Sequence, residues 1–450
     1  MNIRVESTSS TITNHDGLFP IGEFFKKSDF GKDINAHSSV VERKSVPSDR
    51  DVVFSMIALY VIGKPTYEAI EEYRYDRYFR EVLGIRKIPS AETLRQRIEQ
   101  LPAGVQRVIL RWNAEIIKAG FADVASQGSA RERWSEAVTV GERQYMMVDS
   151  DDSVLDNSNS NKEGVSWTYK KCDGYGPMFS YIGRSGYMLN NELREGSAHS
   201  NCPGTVEYFT ETITLAKTMT DFPLLMVLDS GNDAKPVLQE MLYIDNVFFA
   251  IKRNPRKEPT QEWIDYAIEH AEHVRTAKDG STVYYATEKR DLNFDDVVMP
   301  VRVVHVARER FADEHGQMLL ESERSVEGYW TNLDATATEV EEVYHQHGTS
   351  EQYHAELKSD LGVERLPSGK FYANKLHLLF SMIGFNLLRR MGTKLLLTGK
   401  SPGKRGRRLR LRTVLQSAIY LAGVVVSHAG QLILRVCEHN AWTPAFLSSL

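Results

Sequence analysis

Tyr344–Lys358, YHQHGTSEQYHAELK, is a polar, acidic stretch late in a chain of 450 residues, and its reading decides what the rest of the chain is for. At about 100° per residue, Tyr344, His347, Glu351 and Lys358 gather on one face of a helix. That face carries a carboxylate suited to a divalent ion, with Lys358 and His347 suited to phosphate oxygens, a set that fits chemistry on a phosphodiester. Gly348 followed by Thr349-x-x-Gln352 reads as a helix break with a new capping box, which would leave Tyr344 and His347 on the preceding turn. By itself the stretch is read more simply as a solvated amphipathic helix, so the rest of the chain has to decide.

Length and a hydrophobic content of 42% describe a globular chain with room for roughly two to four domains. Cys172, Cys202 and Cys437 lie too far apart for a zinc motif or a disulfide framework, which favours a reducing cytoplasm. The N-terminus, MNIRVESTSSTITNH, lacks the basic and then apolar order of a signal peptide. Val414 to Leu434 is long and apolar but carries Gln416, Ser417, His428 and Gln431, so it reads as a buried helix and not a membrane span. Net charge is -5, yet Arg365 through Cys437 holds fourteen Lys and Arg and no acid. A basic tail on an acidic body is expected of a nucleic-acid partner, although it also suits an anionic membrane surface.

Residues 1–16 are Ser/Thr-rich and expected to be mobile. Residues 17–140 read as helical, in DRDVVFSMIALYVIG, TYEAIEEYRYDRYFREVLG, SAETLRQRIEQL and VQRVILRWNAEIIKAGF. Ser90 would cap the third of these, placing Thr93, Arg95 and Arg97 in its first turns. That is similar to a helix-turn-helix recognition helix with Arg95 or Arg97 aimed at bases or phosphates, while a helical bundle with surface arginines is the simpler alternative. Asp149 then sits where a strand Gln144 to Val148 would end, with Asp151 and Asp152 just beyond. The strand Leu224 to Leu228 runs likewise into Asp229, and a helix and the strand NVFFAIKRN follow. Both aspartates therefore fall at the carboxyl ends of strands, the edge where open α/β sheets bind ligands. Residues from about 255 to 325 read as an inserted β-rich module. The later run LTGKSPGKRGRRLRLRT offers Arg405, Arg407, Arg408, Arg410 and Arg412 to phosphates, or simply to water.

The spacing Tyr-x2-His-x3-Glu-x6-Lys resembles the Tyr-x2-Arg-x3-Glu-x6-Lys signature of DDE-type insertion-sequence transposases of the cut-and-paste group. His347 stands where that pattern has Arg, and an imidazole is only partly charged near neutral pH and lacks the two-pronged phosphate contact of a guanidinium. Asp149 in VDSDDS resembles the first acid of that family, Asp229 in VLDSGND the second and Glu351 the third. LREGSAHS resembles the short motif between the first two acids, and the β-rich stretch resembles the family's insertion, so the likeness covers most of the chain.

The resemblance implies an α/β fold: an RNase H-like catalytic core over 141–395 with the β-rich module inserted, preceded by a helical DNA-binding domain over 17–140 and followed by a basic linker and C-terminal helix over 396–450. It implies metal-dependent cleavage at the ends of an insertion sequence, then strand transfer of the exposed 3′ hydroxyl into target DNA. Two Mg²⁺ ions, with Mn²⁺ as an alternative, would be held by Asp149, Asp229 and Glu351, while Tyr344, His347 and Lys358 grip terminal phosphates. Asp151 is an alternative to Asp149, and Asp233 to Asp229. The implied partners are double-stranded DNA carrying terminal inverted repeats, target DNA and a second copy of the chain, with no membrane and a location at the bacterial nucleoid in the cytoplasm. Two rivals stand beside this: an RNase H-like nuclease without strand transfer, and a catalytically inactive transposase-derived DNA-binding protein. A transition-metal set made of His345, His347 and His354 has no clear carboxylate-rich shell.

Overall fold

The computed structural model describes residues 3, 6–38, 46–126, 134–294, 297–312, 317–403 and 406–450. Its centre is a mixed sheet that has ten strands among the described residues. Nine form the path β6-β7-β8-β9-β5-β4-β1-β2-β3, where β1 is Arg143–Asp152, β2 Met178–Ile182, β3 Tyr187–Glu192, β4 Leu224–Leu228, β5 Val247–Lys252, β6 His273–Thr276, β7 Thr282–Phe294, β8 Val297–Ala312 and β9 Met318–Thr331. The tenth, Val138–Val140, pairs with the start of β1.

Among the parallel strands β4 is apolar and buried throughout and β5 nearly so, as a sheet covered on both faces requires. β1 and β4 run parallel with Met146 opposite Leu224 and Ser150 opposite Leu228, and β5 runs parallel to β4. One face packs Ile213 and Met241 on Val148, Met226 and Leu228, from the helices Thr205–Lys217 and Lys235–Tyr243. The other face packs Val340 and Tyr344 of the helix Ala337–His345 on Leu225, Val227 and Tyr329. The β2–β3 hairpin is antiparallel to β1 and extends it, pairing Asp149 with Tyr181 and Asp152 with Met178. On the opposite side β9 pairs antiparallel with β5. The β-rich stretch read as an inserted module is joined to the same sheet through this pairing.

The helical part surrounds the helix Phe371–Leu397, which is buried around most of its circumference. It shares one core cluster with the helices Asp49–Val61 and Gly104–Ala125, so apolar packing crosses the boundaries expected at 140 and 395. Ser48 starts Asp49–Val61 with a reciprocal capping box to Asp51. Helices and sheet are locked together by buried amides. Met188 N–H of β3 donates to Asn386 Oδ1 at 2.8 Å, while Asn386 Nδ2 donates to Asn113 Oδ1 and to Met188 O, both at 2.7 Å.

Two expectations are corrected at the chain ends. Thr11–Thr13, inside the segment expected to be mobile, forms a strand paired with Gly423–His428. Val414 to Leu434 is not one helix: a helical turn ends at Ile419, and Gly423–His428 pairs with Gln431–Val436 as a hairpin. The β-branched run Val424–Val426 favours the strand, and Ala429 at φ 47° with Gly430 at φ 79° forms a two-residue turn of the kind hairpins prefer. A short helix, Thr443–Ser449, follows. Among the described residues no helix is long and apolar enough to cross a membrane.

Asn386→Ala leaves the Met188 N–H and the Asn113 amide without their partner. At about 1–3 kcal/mol per buried group left unpaired, unfolding stability should fall by about 3 kcal/mol, read as a lower denaturant midpoint at unchanged slope.

Candidate active site and metal centre

Because Ser150 faces Leu228 across parallel strands, Asp229, just past the end of β4, comes beside Asp151, which is still paired with β2. With Asp152 they form a set whose ligand oxygens all lie within 4.8 Å of one another. Among the described residues no Lys or Arg pairs with any of the three. Asn232 Nδ2 donates to Asp229 Oδ1 at 2.7 Å, and Ser200 Oγ donates to Asp152 Oδ2 at 3.3 Å. Gly231 lets the turn after β4 fold over the carboxylate, since a Cβ there would lie 2.7 Å from Ser200 Oγ and 3.2 Å from both Asp229 oxygens. Burial, and then the charge of Asp229, push Asp151 up to about 7 and raise Asp152 as well.

These acids line a cleft of about 1120 Å³ together with Glu351, His354, Lys358 and the segment Gly196–Ser200 of LREGSAHS. Trp167 and Tyr169 lie at the same cleft and are largely exposed.

Asp149 is placed differently. It is only 2% exposed, outside that cleft lining, and its Oδ1 accepts from His347 Nδ1 at 2.7 Å. Burial pulls the His347 pKa down, but the hydrogen bond and charge of Asp149, aided by Asp151 and Asp229, overcome it and lift the imidazole to about 9. Asp233, the alternative to Asp229, is a strut: its oxygens accept from Trp330 Nε1 at 2.9 Å and from the Asn254 N–H at 2.8 Å.

The stretch from Tyr344 to Lys358 is not one regular helix. Ala337–His345 passes through a 3₁₀ turn, Gln346–Thr349, into the helical turn Ser350–Ala355 and then a π turn, Glu356–Asp360. Thr349 has helical dihedrals and caps nothing; Ser350 Oγ donates instead to His347 O at 2.8 Å. Tyr344 turns into the core, its ring 4.7 Å from that of Tyr329. Glu351 is exposed on the cleft wall. Lys358 donates to Val154 O, and burial lowers its pKa. His354 is 5% exposed between Phe179 and Tyr181. Its Nδ1 lies 3.8 Å from Asp151 Oδ2, beyond hydrogen-bond range, and its Nε2 is buried without a partner. Burial drives His354 down to about 3, so the ring is neutral. The sequence offered His354 only in a transition-metal set with His345 and His347, which the structure does not bring together, and Asp152 only as a neighbour of Asp151; the spacing Glu351-x-x-His354 was the available signal.

Most of the arginines expected on DNA have partners within the chain. Arg97 pairs with buried Asp49, and Arg95 with Glu92 and Glu99. Arg408 and Arg389 clamp the two oxygens of buried Glu356, each at 2.6 Å. Arg410 chelates Asp360 at 2.9 and 3.0 Å, with Arg412 3.6 Å away. Arg407 donates to the carbonyls of Trp134 and Ser135, and Arg405 lies outside the described residues. The basic run thus pins the π turn that follows Glu351. A second set of close ligand atoms, Glu327, Glu341 and His345, is already neutralised by Lys252, Arg275 and Arg308.

The family model described as transposase DDE domain group 1 matches residues 1–450, and the chain belongs to that family. It is a DNA transposase, an enzyme class that cleaves and rejoins phosphodiesters with divalent metal ions. The unneutralised carboxylates of Asp151, Asp152 and Asp229 are a donor set that fits such an ion. The cryo-EM structure of the piggyBac transposase synaptic complex with hairpin DNA is similar at 13% identity, covering 92% of this chain and 83% of that one with a TM-score of 0.39. No curated protein matches the chain.

In an NMR titration the His347 imidazole should show a midpoint near 9, which Asp149→Asn should lower by more than one unit. Because the folded value lies above 6.5, the stability the imidazolium adds is present below about pH 6.5, as long as Asp149, which burial raises, stays ionised, and is lost as pH rises through about 9. Arg408→Ala should lower the melting temperature by uncovering a buried carboxylate, without needing DNA to reveal the effect.

Proposed function

We propose that this transposase cuts the ends of an insertion sequence and transfers the exposed 3′ hydroxyls into target DNA at the cleft that Asp151, Asp152, Asp229 and Glu351 line. The observation that carries the reading is the approach of three carboxylates to within 4.8 Å without a cation among them, in a cleft that Glu351 also lines. Asp151, Asp229 and Glu351 hold two Mg²⁺ ions, with Asp152 beside them. Bound there, the ions supply an activated water or hydroxyl and neutralise charge on the phosphate under attack. Asp149 acts from behind, as the anchor of His347. Lys358 binds a phosphate oxygen at the cleft, and Arg95, which is partly exposed, serves the DNA beyond it. Tyr344 supports the turn from the core.

The strand order β3-β2-β1-β4-β5, with β1, β4 and β5 parallel and β2 reversed, supports an RNase H-like core within 141–395. Residues 17–140 are proposed to carry the DNA-binding surface. Two element ends cut together call for a homodimer on DNA, at work on the bacterial nucleoid.

Cleavage and joining of labelled element ends test this. Asp151→Asn, Asp229→Asn and Glu351→Gln should each slow end cleavage about a thousandfold, the scale of removing one transition-state stabiliser, while binding of end DNA persists. Asp149→Asn should cost less than Asp151→Asn. End DNA bound but left uncut by the wild type would establish the non-catalytic reading, undiminished cleavage by Asp229→Asn would contradict the assigned site, and cleavage without joining of pre-nicked ends would establish a nuclease.

A further inference from the structure

His354 is a buried polar side chain at the cleft that the proposed function leaves unused. It sits three residues after Glu351, so one helical turn presents a carboxylate and an imidazole to the same cleft. The ring is fixed between Phe179 and Tyr181, with centroids 5.4 and 5.5 Å away. Its Nε2 is buried without a hydrogen-bond partner, although a buried imidazole nitrogen ordinarily finds one. Its Nδ1 faces Asp151 Oδ2 across 3.8 Å. That gap is too long for a hydrogen bond and slightly wider than the roughly 3–3.6 Å separating two ligands on one small divalent ion at about 2.1 Å from each.

We propose that His354 is a metal ligand, sharing an ion with Asp151 and Glu351, and that it biases the centre toward first-row transition ions such as Mn²⁺ over Mg²⁺. The proposal rests on Asp151 and Glu351 being metal ligands. Mg²⁺ is a hard cation that takes oxygen donors, whereas imidazole suits first-row transition ions. A Glu-x-x-His pair on one helix is the donor arrangement that helical carboxylate centres present to iron or manganese. The other histidines of the signature stretch are engaged elsewhere: His347 binds Asp149, and His345 lies 3.4 Å from Glu341. His199 also lines the cleft and serves as the control.

Pulsed EPR of the full-length protein loaded with Mn²⁺ alone provides the test. A ¹⁴N coupling from a directly bound imidazole is expected in the wild type and in His199→Gln, and should vanish in His354→Phe, which keeps an aromatic ring between Phe179 and Tyr181. The Mn²⁺ dissociation constant of His354→Phe should rise at least about tenfold, the scale of disturbing a metal's immediate surroundings, with Mg²⁺ affinity by competition changing less than about threefold. If that variant does not fold, the wild-type and His199→Gln spectra decide. No nitrogen coupling in the wild type, or one lost in His199→Gln, overturns the proposal while leaving the acids as ligands. Mn²⁺ binding that survives both Asp151→Asn and Asp229→Asn overturns His354 and the metal centre together.

Discussion

Two parallel strands aligned Ser150 to Leu228 deliver two aspartates to one point. Everything at the cleft depends on that register. Apolar residues on both faces enforce it: Val148, Met226 and Leu228 toward one helical layer, Leu225 and Val227 toward the other. A slip of one residue would turn each apolar set to the wrong face, so the core holds like charges together against their repulsion. The strain shows in Asp151, lifted to about 7 by burial and by Asp229. A divalent ion relieves both, which is why the same geometry is unfavourable without one and useful with one.

Glu351, the third candidate acid, comes to line the same cleft by a different device. Glu351 follows a 3₁₀ turn and precedes a π turn, an irregular path that π turns commonly take near functional sites. That path is held from outside by arginines: Arg389 and Arg408 on Glu356, Arg410 and Arg412 on Asp360. Tyr353 lies under the Arg389 and Arg408 guanidiniums, at 5.6 and 4.6 Å. The basic tail thereby braces the irregular helical stretch that carries Glu351. Removing one partner of these buried pairs leaves an uncompensated charge, so the tail and the signature helix stand or fall together.

The acids and the strands that carry them were legible in sequence because apolar runs ending in Asp are a strong local signal. The depth of Asp149 was not. Its strand seemed to end at Val148, but pairing with β2 carries β1 on to Asp152, so Asp149 lies inside the sheet and Asp151 at its edge. Pairing to a distant strand leaves no trace in a local window. His347, which departs from the Arg of the family pattern, gains a partner in Asp149, and that compensation spans 198 residues. The arginine run was readable as charge but not as pairing, because Glu356 and Asp360 lie some fifty residues earlier. At 414–434 the apolar length outweighed the Val424–Val426 run and the Ala429–Gly430 turn, which marked a hairpin.

The placement of the metal is the central claim, and anomalous diffraction from crystals of the transposase with Mn²⁺ and an element-end DNA measures it directly. Manganese peaks should fall within roughly 2.0–2.5 Å of carboxylate oxygens of Asp151, Asp229 and Glu351, with Asp149 still on His347. Peaks on Asp149, or only on Glu327 and Glu341, would contradict it.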